Sequence, residues 1–377
     1  MPDVKRRFSL IAVIAILAAG MAIAACGDDD DDGGGGGGDG GGGDSGGSGS
    51  IALLLPETKT ARYESQDRPN FEAKAQELCP DCEIIYSNAD QDPAKQQQQA
   101  EAAITQGAKV LVLDPVDAAS ASAIVTRAKQ SQIPVISYDR LITDADLDYY
   151  ISFDNEQVGK LQGESLTKKL EDDGASGDIV MINGAPTDNN ATLFKKGAHS
   201  VIDGSSFKVA KEYDTPDWSP DKAQQEMEQA ITALGKDGFV GVYAANDGTA
   251  GGAIAAMKGN GIDPKTIPVT GQDAELAAIQ RILIGEQYMT VYKAIKPEAE
   301  AAAELAVALV RGEDPPSGLV NDKVDNGMED VPSVLLKPVA VTKDNIADTI
   351  VKDDFWPVEE ICAGKYAAAC KENGIGG

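Results

Sequence analysis

Residues 92–140 read DPAKQQQQAEAAITQGAKVLVLDPVDAASASAIVTRAKQSQIPVISYDR. Asp92-Pro93 offers an N-cap followed by a proline at the first helical position, so a helix opens there and runs through Gln106. Gly107 ends it. Val110–Leu113 is continuously apolar and reads as a strand. A second helix, Ala118–Gln130, leads to Pro134 and the strand Val135–Ser137. Strands alternating with helices predict a parallel sheet with helices on both faces.

The same alternation extends both ways. Ile51–Leu55 and Glu83–Tyr86 read as strands around a helix at Asn70–Leu78. The pattern restarts after residue 155. Asp178–Ile182, Phe207–Val209, Gly238–Ala244 and Pro268–Thr270 read as strands, separated by helices near 191–203, 220–234 and 248–260. A strong helix at Ala299–Val310 stops at Arg311-Gly312 and Pro315-Pro316. Asn326-Gly327 signals a turn before the late strands Val334–Leu336 and Val339–Val341. Two similar α/β halves joined at a cleft are a common ligand-binding arrangement.

The first fifty residues have another character. Lys5, Arg6 and Arg7 precede an apolar run, Phe8–Ala25, that ends in Ile23-Ala24-Ala25-Cys26. A positive end, an apolar middle and small residues before a cut site make a secretory signal. The direct succession to Cys resembles a bacterial lipobox, which predicts a signal peptide over 1–25 and lipidation of Cys26. An uncleaved transmembrane helix is the alternative. Residues 26–50 are the lipidated Cys and a tether of Gly, Asp and Ser with nothing to bury. The expected location is therefore extracytoplasmic, at a cell surface or in a periplasm, with the membrane touched through the lipid alone.

With 33 Lys+Arg against 61 Asp+Glu, the net charge is −28. Such a surface repels nucleic acid and anionic headgroups. The body beyond the tether is longer than one core usually grows, so two lobes are expected. Of the five Cys, four remain after Cys26. Spacing pairs Cys79 with Cys82 and Cys362 with Cys370. The first pair has redox-motif spacing and two such pairs could hold zinc, but outside the cytoplasm two structural disulfides are the expectation.

Ligands of open α/β sheets bind beyond the C-terminal ends of the strands. The strand exits of this chain carry Tyr138-Asp139-Arg140, Asn183 through Asn190, Asn246-Asp247-Gly248 and Gly271-Gln272-Asp273. Nearly every exit offers Asp, Asn or Arg. Carboxylates accept from hydroxyls while amides and guanidinium donate, which is the set a neutral polyol needs. Asn and Asp also favour turns and N-caps for their own reasons. Their recurrence in both halves favours a cleft.

Catalytic groupings are scarce. The single His, His199, stands on a helix away from any metal spacing, and neither a nucleophile elbow nor a phosphate-gripping glycine loop occurs. No metal, cofactor or catalytic residue is expected. Paired carboxylates leave a lipid-anchored glycoside hydrolase as an alternative. Trp218, in a polar loop, could stack on a sugar ring or anchor the loop. Trp356 looks structural.

These residues carry a resemblance. The chain resembles the D-xylose-binding proteins of bacterial ABC transporters, within the ribose- and galactose-type periplasmic binding protein superfamily. The matching stretches are Tyr138–Ile142 with Tyr150–Asn155, Pro186–Ala191, Ala245–Ala253, and Gly271-Gln272-Asp273 with Met289–Lys293. The resemblance implies a two-lobed periplasmic-binding-protein fold, each lobe a parallel sheet flanked by helices, with a three-crossing hinge. It places lobe 1 at 51–153 plus 294–322 and lobe 2 at 154–293 plus 323–377, with crossings near 153–156, 291–294 and 320–328. It implies hydrogen bonds to a sugar from Arg140, Asp188, Asn190, Asn246, Asp273 and Lys293, and stacking by Trp218. Arg62-Tyr63 stand where members carry an Arg-Trp pair. The tail beyond Trp356 departs from shorter members. The implied partners are a monosaccharide, xylose favoured, and an ABC transporter permease, with the protein a monomer and no nucleic acid involved. Ribose, galactose or a signalling sugar, or a sensor role, are the alternatives.

Overall fold

A computed structural model describes residues 49–376; the expected signal peptide, Cys26 and most of the tether lie outside them. The strands in chain order are β1 (Ser50–Leu55), β2 (Glu83–Asn88), β3 (Ala108–Leu113), β4 (Val135–Tyr138), β5 (Tyr149–Phe153) and β6 (Asp178–Asn183). They continue with β7 (Lys208–Asp214), β8 (Gly241–Ala244), β9 (Met289–Tyr292), β10 (Asp322–Asp325), β11 (Asp330–Leu336) and β12 (Val339–Thr342). The main helices are α1 (Arg68–Leu78), α2 (Pro93–Thr105), α3 (Ser122–Gln130), α4 (Asn155–Asp172) and α5 (Asn189–Ile202). After them come α6 (Pro220–Leu234), α7 (Asp247–Gly259), α8 (Leu276–Leu283) and α9 (Ile295–Arg311).

Lobe 1 is built on a seven-stranded sheet in the order β10-β11-β5-β4-β3-β1-β2. β10 runs antiparallel to β11, and the other pairs are parallel. Successive side chains of a strand point to opposite faces, which is why Ile51–Leu55 is apolar at every position. Leu53 meets Phe71 and Leu305 from α1 and α9, while Leu54 packs with Ala100, Ile124 and Val125 from α2 and α3.

Lobe 2 has the parallel set β7-β6-β8. Bridges between Val242 and Val269 and between Gln272 and Val291 carry it to β9, which pairs antiparallel with β12. α4 and α5 cover one face through Val158 and Phe194, and α6 and α7 the other through Met227 and Met257. Gly159 and Gly197 let α4 and α5 touch backbone to backbone; a Cβ on either would overlap the carbonyl of the facing helix. The tail packs Phe355, Ile361, Cys370 and Ile375 against α8 and Val341. Disulfides join Cys79 to Cys82 and Cys362 to Cys370. Trp356 is structural, its Nε1–H donating to the Ala274 carbonyl at 2.8 Å.

Two expectations need correction. Residues 323–336 do not belong to lobe 2. β11 runs beside β5 from Ser333–Tyr150 to Leu336–Phe153, and β10 folds back along β11. This hairpin covers the edge that β5 would otherwise leave open. The third crossing therefore falls at Lys337-Pro338, beside the first, where Asp154 N–H donates to the Leu336 carbonyl. Second, Pro268–Thr270 makes an isolated bridge rather than a full strand, since Pro268 has no N–H to give a ladder.

Candidate functional site

Exits from the strands of both lobes, with the segment leading into α1, converge on one pocket. All nine residues expected at the site line it: Arg62, Tyr63, Arg140, Asp188, Asn190, Trp218, Asn246, Asp273 and Lys293. Thr60, Asp139, Phe194 and Gln272 join them.

From lobe 1, Arg62 is held by carboxylates on several segments. Its Nε and Nη2 donate to Asp67 at 2.9 and 2.6 Å, Nη2 to Glu298 of α9 at 3.0 Å, and Nη1 to Asp139 at 3.3 Å. A guanidinium is planar and forked, so these contacts fix its plane as well as its position. Tyr63 Oη–H donates to Asp139 Oδ2 at 2.9 Å. Asp139 and Arg140 follow β4, with Asp139 in left-handed backbone at φ 54°. Arg140 is 2% exposed. Its Nε stands 3.0 Å from Asp188 and 3.6 Å from Asp114, and its Nη2 3.7 Å from Glu57.

From lobe 2, Asp188 is the N-cap of α5. It accepts from the Asn190 N–H at 2.8 Å and from Trp218 Nε1–H at 3.1 Å. This holds the Trp218 ring edge-on to Phe194, 6.3 Å between centroids, and flat against Gly184. Asn190 bridges the lobes by donating to the Asp139 carbonyl at 2.9 Å. Asn246 caps α7, where its Oδ1 takes the Thr249 N–H. Its amide nitrogen has no hydrogen bond among the described residues. Lys293, just beyond β9, sits 3.1 Å from Asp273 and 3.7 Å from Asp139.

Burial and neighbours set the charges. Burial opposes ionisation of Asp139, but Arg62, then Lys293 and Arg140, hold its carboxyl well below the usual range. Burial pushes Asp114 and Asp188 up, with Arg140 the main counterweight in both. Burial, the largest single influence, disfavours charged Lys293, yet Asp273, Asp139 and Glu298 together outweigh it and the ammonium is held on.

The buried acceptors Gln272 Oε1 and Asp273 Oδ1 lack hydrogen-bond partners. With the free Asn246 amide and the outer nitrogens of Arg140 and Lys293, they form a converging set of donors and acceptors beside aromatic faces. Such a space suits a small neutral molecule rich in hydroxyls. His199 lies elsewhere, between Asp203 and Glu212. Among the described residues no group of three His, Cys, Asp or Glu is placed to hold a metal. Asp139 and Gln272 belong to the strand exits, yet the sequence does not single them out from ordinary turn residues. Phe194 is one helical turn after Asn190, an i,i+4 signal that separates site from core in no visible way.

A family model described as a periplasmic binding protein domain matches residues 51–314. The chain is 40% identical over 315 residues to the D-xylose-binding periplasmic protein of Escherichia coli K12, covering 82% of this chain and 92% of that one. It is 33% identical to the multiple sugar-binding periplasmic receptor ChvE of Rhizobium radiobacter, covering 83% and 92%. Among solved structures, an ABC transporter solute binding protein of Clostridium phytofermentans with bound β-D-glucose superposes with TM-score 0.75 at 30% identity, covering 83% of this chain and 99% of that one.

Proposed function

The chain belongs to the periplasmic binding protein domain family, and on that premise we propose that it is an extracytoplasmic monosaccharide-binding protein that delivers D-xylose to an ABC importer by closure of its two lobes. It is a binding protein and not an enzyme. The observation that carries the reading is the lining of the cleft: buried donors and acceptors from both lobes converge there, flanked by Trp218, Phe194 and Tyr63. Hydroxyls of a pyranose would take the Asn246, Arg140 and Lys293 donors and give to Asp273 and Gln272. Trp218 would stack on the C–H face of the ring.

Because each lobe contributes part of the site, a sugar favours the closed arrangement over the open one, and closure is what a permease can read. The 40% identity to the D-xylose-binding protein favours xylose. The multiple sugar-binding relative and the glucose-bound neighbour support a second reading, a broader monosaccharide specificity. Lipidation at Cys26 would tether a monomeric body to the outer face of a membrane; no described helix is long and apolar enough to cross one.

Calorimetric titration of residues 49–377 with xylose, ribose, arabinose, glucose and galactose decides between the readings. Xylose should bind tightest. Comparable affinity for several sugars favours the broader reading, and heat from none of them overturns both.

A further inference from the structure

Asp273 and Ala274 both adopt left-handed backbone, with φ of 91° and 51°. Neither is glycine, and consecutive non-glycine residues rarely hold this conformation without outside support. The support comes from two fully buried side chains. Thr290 Oγ1 accepts the Ala274 N–H at 3.2 Å and donates to Asp247 Oδ2 at 2.9 Å. The same Asp247 oxygen accepts the Glu275 N–H at 2.9 Å. Asp247 N–H in turn donates to the Gln272 carbonyl at 2.9 Å. Gln287 Nε2 donates to the other Asp247 oxygen at 2.7 Å and to the Met289 carbonyl at 3.0 Å. A Cβ at Gly271 would overlap both Asp247 and Gln287, so the loop is drawn tight onto this pair.

Neither Asp247 nor Thr290 lines the cavity, yet both are tied to segments that do. Asp247 follows Asn246, Thr290 belongs to the strand that leads to Lys293, and the clamped turn carries Gln272 and Asp273. We propose that Asp247 and Thr290 are positioning residues for the binding cleft, clamping the left-handed turn so that the Asp273 carboxylate is presented beside Lys293. This inference rests on the sugar-binding reading.

The geometry makes the clamp selective for a carboxylate and a hydroxyl. Every group that faces Asp247 along it is a donor. An Asn there must aim its NH2 either at the Glu275 N–H and Thr290 hydroxyl or at Gln287 Nε2. Gln287 cannot turn over to accept, because its Oε1 already takes Arg281 Nε–H at 3.0 Å and its Nε2 serves the Met289 carbonyl. A Val at 290 keeps the shape of Thr but leaves the Ala274 N–H without an acceptor and Asp247 short of a donor.

The test is calorimetric titration of the full chain with whichever of xylose, ribose, arabinose, glucose and galactose wild type binds, for Thr290→Val, Thr290→Ser, Asp247→Asn, Asp273→Ala and the double variant Thr290→Val/Asp273→Ala. Thr290→Val and Asp247→Asn should each weaken binding by about ten- to hundred-fold, as one unsatisfied buried polar group implies. Thr290→Ser, which keeps the hydroxyl, should stay within about threefold of wild type. The double variant should bind no more weakly than Asp273→Ala alone, because the clamp acts through Asp273. Two melting-temperature losses without any loss of affinity overturn the proposal, as does a double variant whose losses multiply. If Thr290→Val fails to fold, Asp247→Asn against its own Asp273→Ala double variant reads the same coupling. Wild type that binds none of the sugars overturns the binding reading and this inference with it; wild type that binds while Thr290→Val matches it overturns this inference alone.

Discussion

Replacing Arg140 with Lys keeps the charge and removes the fork. Arg140 spreads its nitrogens over Asp188 at 3.0 Å, Asp114 at 3.6 Å, Glu57 at 3.7 Å and the Pro115 carbonyl at 3.4 Å. One ammonium cannot reach all of them. At an effective dielectric of about 20, unit charges 3 to 4 Å apart attract by about 4–5.5 kcal/mol per pair, but desolvation of both partners offsets most of that. The net loss is therefore set by what is left unpaired. Both oxygens of Asp114 already lack hydrogen bonds and depend on Arg140 for compensation. One or two stranded buried groups cost about 2–4 kcal/mol in all. The loss divides by lobe. Asp114, Glu57 and Pro115 sit with Arg140 in lobe 1, so their share appears as a lower melting temperature. Asp188 comes from lobe 2, so its share, with any bond to ligand, appears as affinity. Calorimetry on Arg140→Lys should show a dissociation constant raised by at least about tenfold, alongside a depressed melting temperature. A folded Arg140→Lys protein that binds xylose within about threefold of wild type refutes the reasoning.

Gly184→Ala would drive a methyl into the Trp218 ring; the variant should fold and lose affinity about tenfold or more, with altered Trp fluorescence, and an unchanged spectrum and affinity would count against Trp218 as a cleft wall. For His199, burial opposes the charge but Asp203 and Glu212 more than compensate, so its folded pKa is raised. Its stabilisation is then full below the unfolded value of about 6.5 and fades as pH rises through the folded one. His199→Ala should accordingly lower the melting temperature more at about pH 5 than at about pH 9, and equal losses at both contradict this assignment. Reducing the Cys362–Cys370 bridge should weaken the tail's packing by about 2–3 kcal/mol on the chain-entropy estimate, read as a lower melting temperature against a Cys362→Ser/Cys370→Ser control that ignores reductant. Intact mass of the membrane fraction should show a lipidated Cys26 at the N-terminus, absent in Cys26→Ala; residues 1–25 still attached to all the protein would rule out cleavage there.

Much of this molecule was legible in the chain because the signals are local. Asp92-Pro93 and Gly107 bound α2 to within a residue or two, and the unbroken apolar run Ile51–Leu55 belongs to a strand covered on both faces. The site was legible for a related reason. In a parallel sheet every strand exit points to the same end, so Asp139-Arg140 fall at the exit end of the lobe 1 sheet and Asp188 and Asn246 at that of the lobe 2 sheet, while only the packing of the two lobes brings the two sets together. What only tertiary structure decided is pairing between distant segments. The turn at Asn326-Gly327 was plain, but its strands became part of lobe 1 because β5 had an open edge to fill. Asp247 read as the residue beside Asn246, and Thr290 as one more polar residue in a strand. Their clamp on Asp273 joins three separate segments of the chain, and a hydrogen bond across such gaps leaves no periodic trace in the sequence.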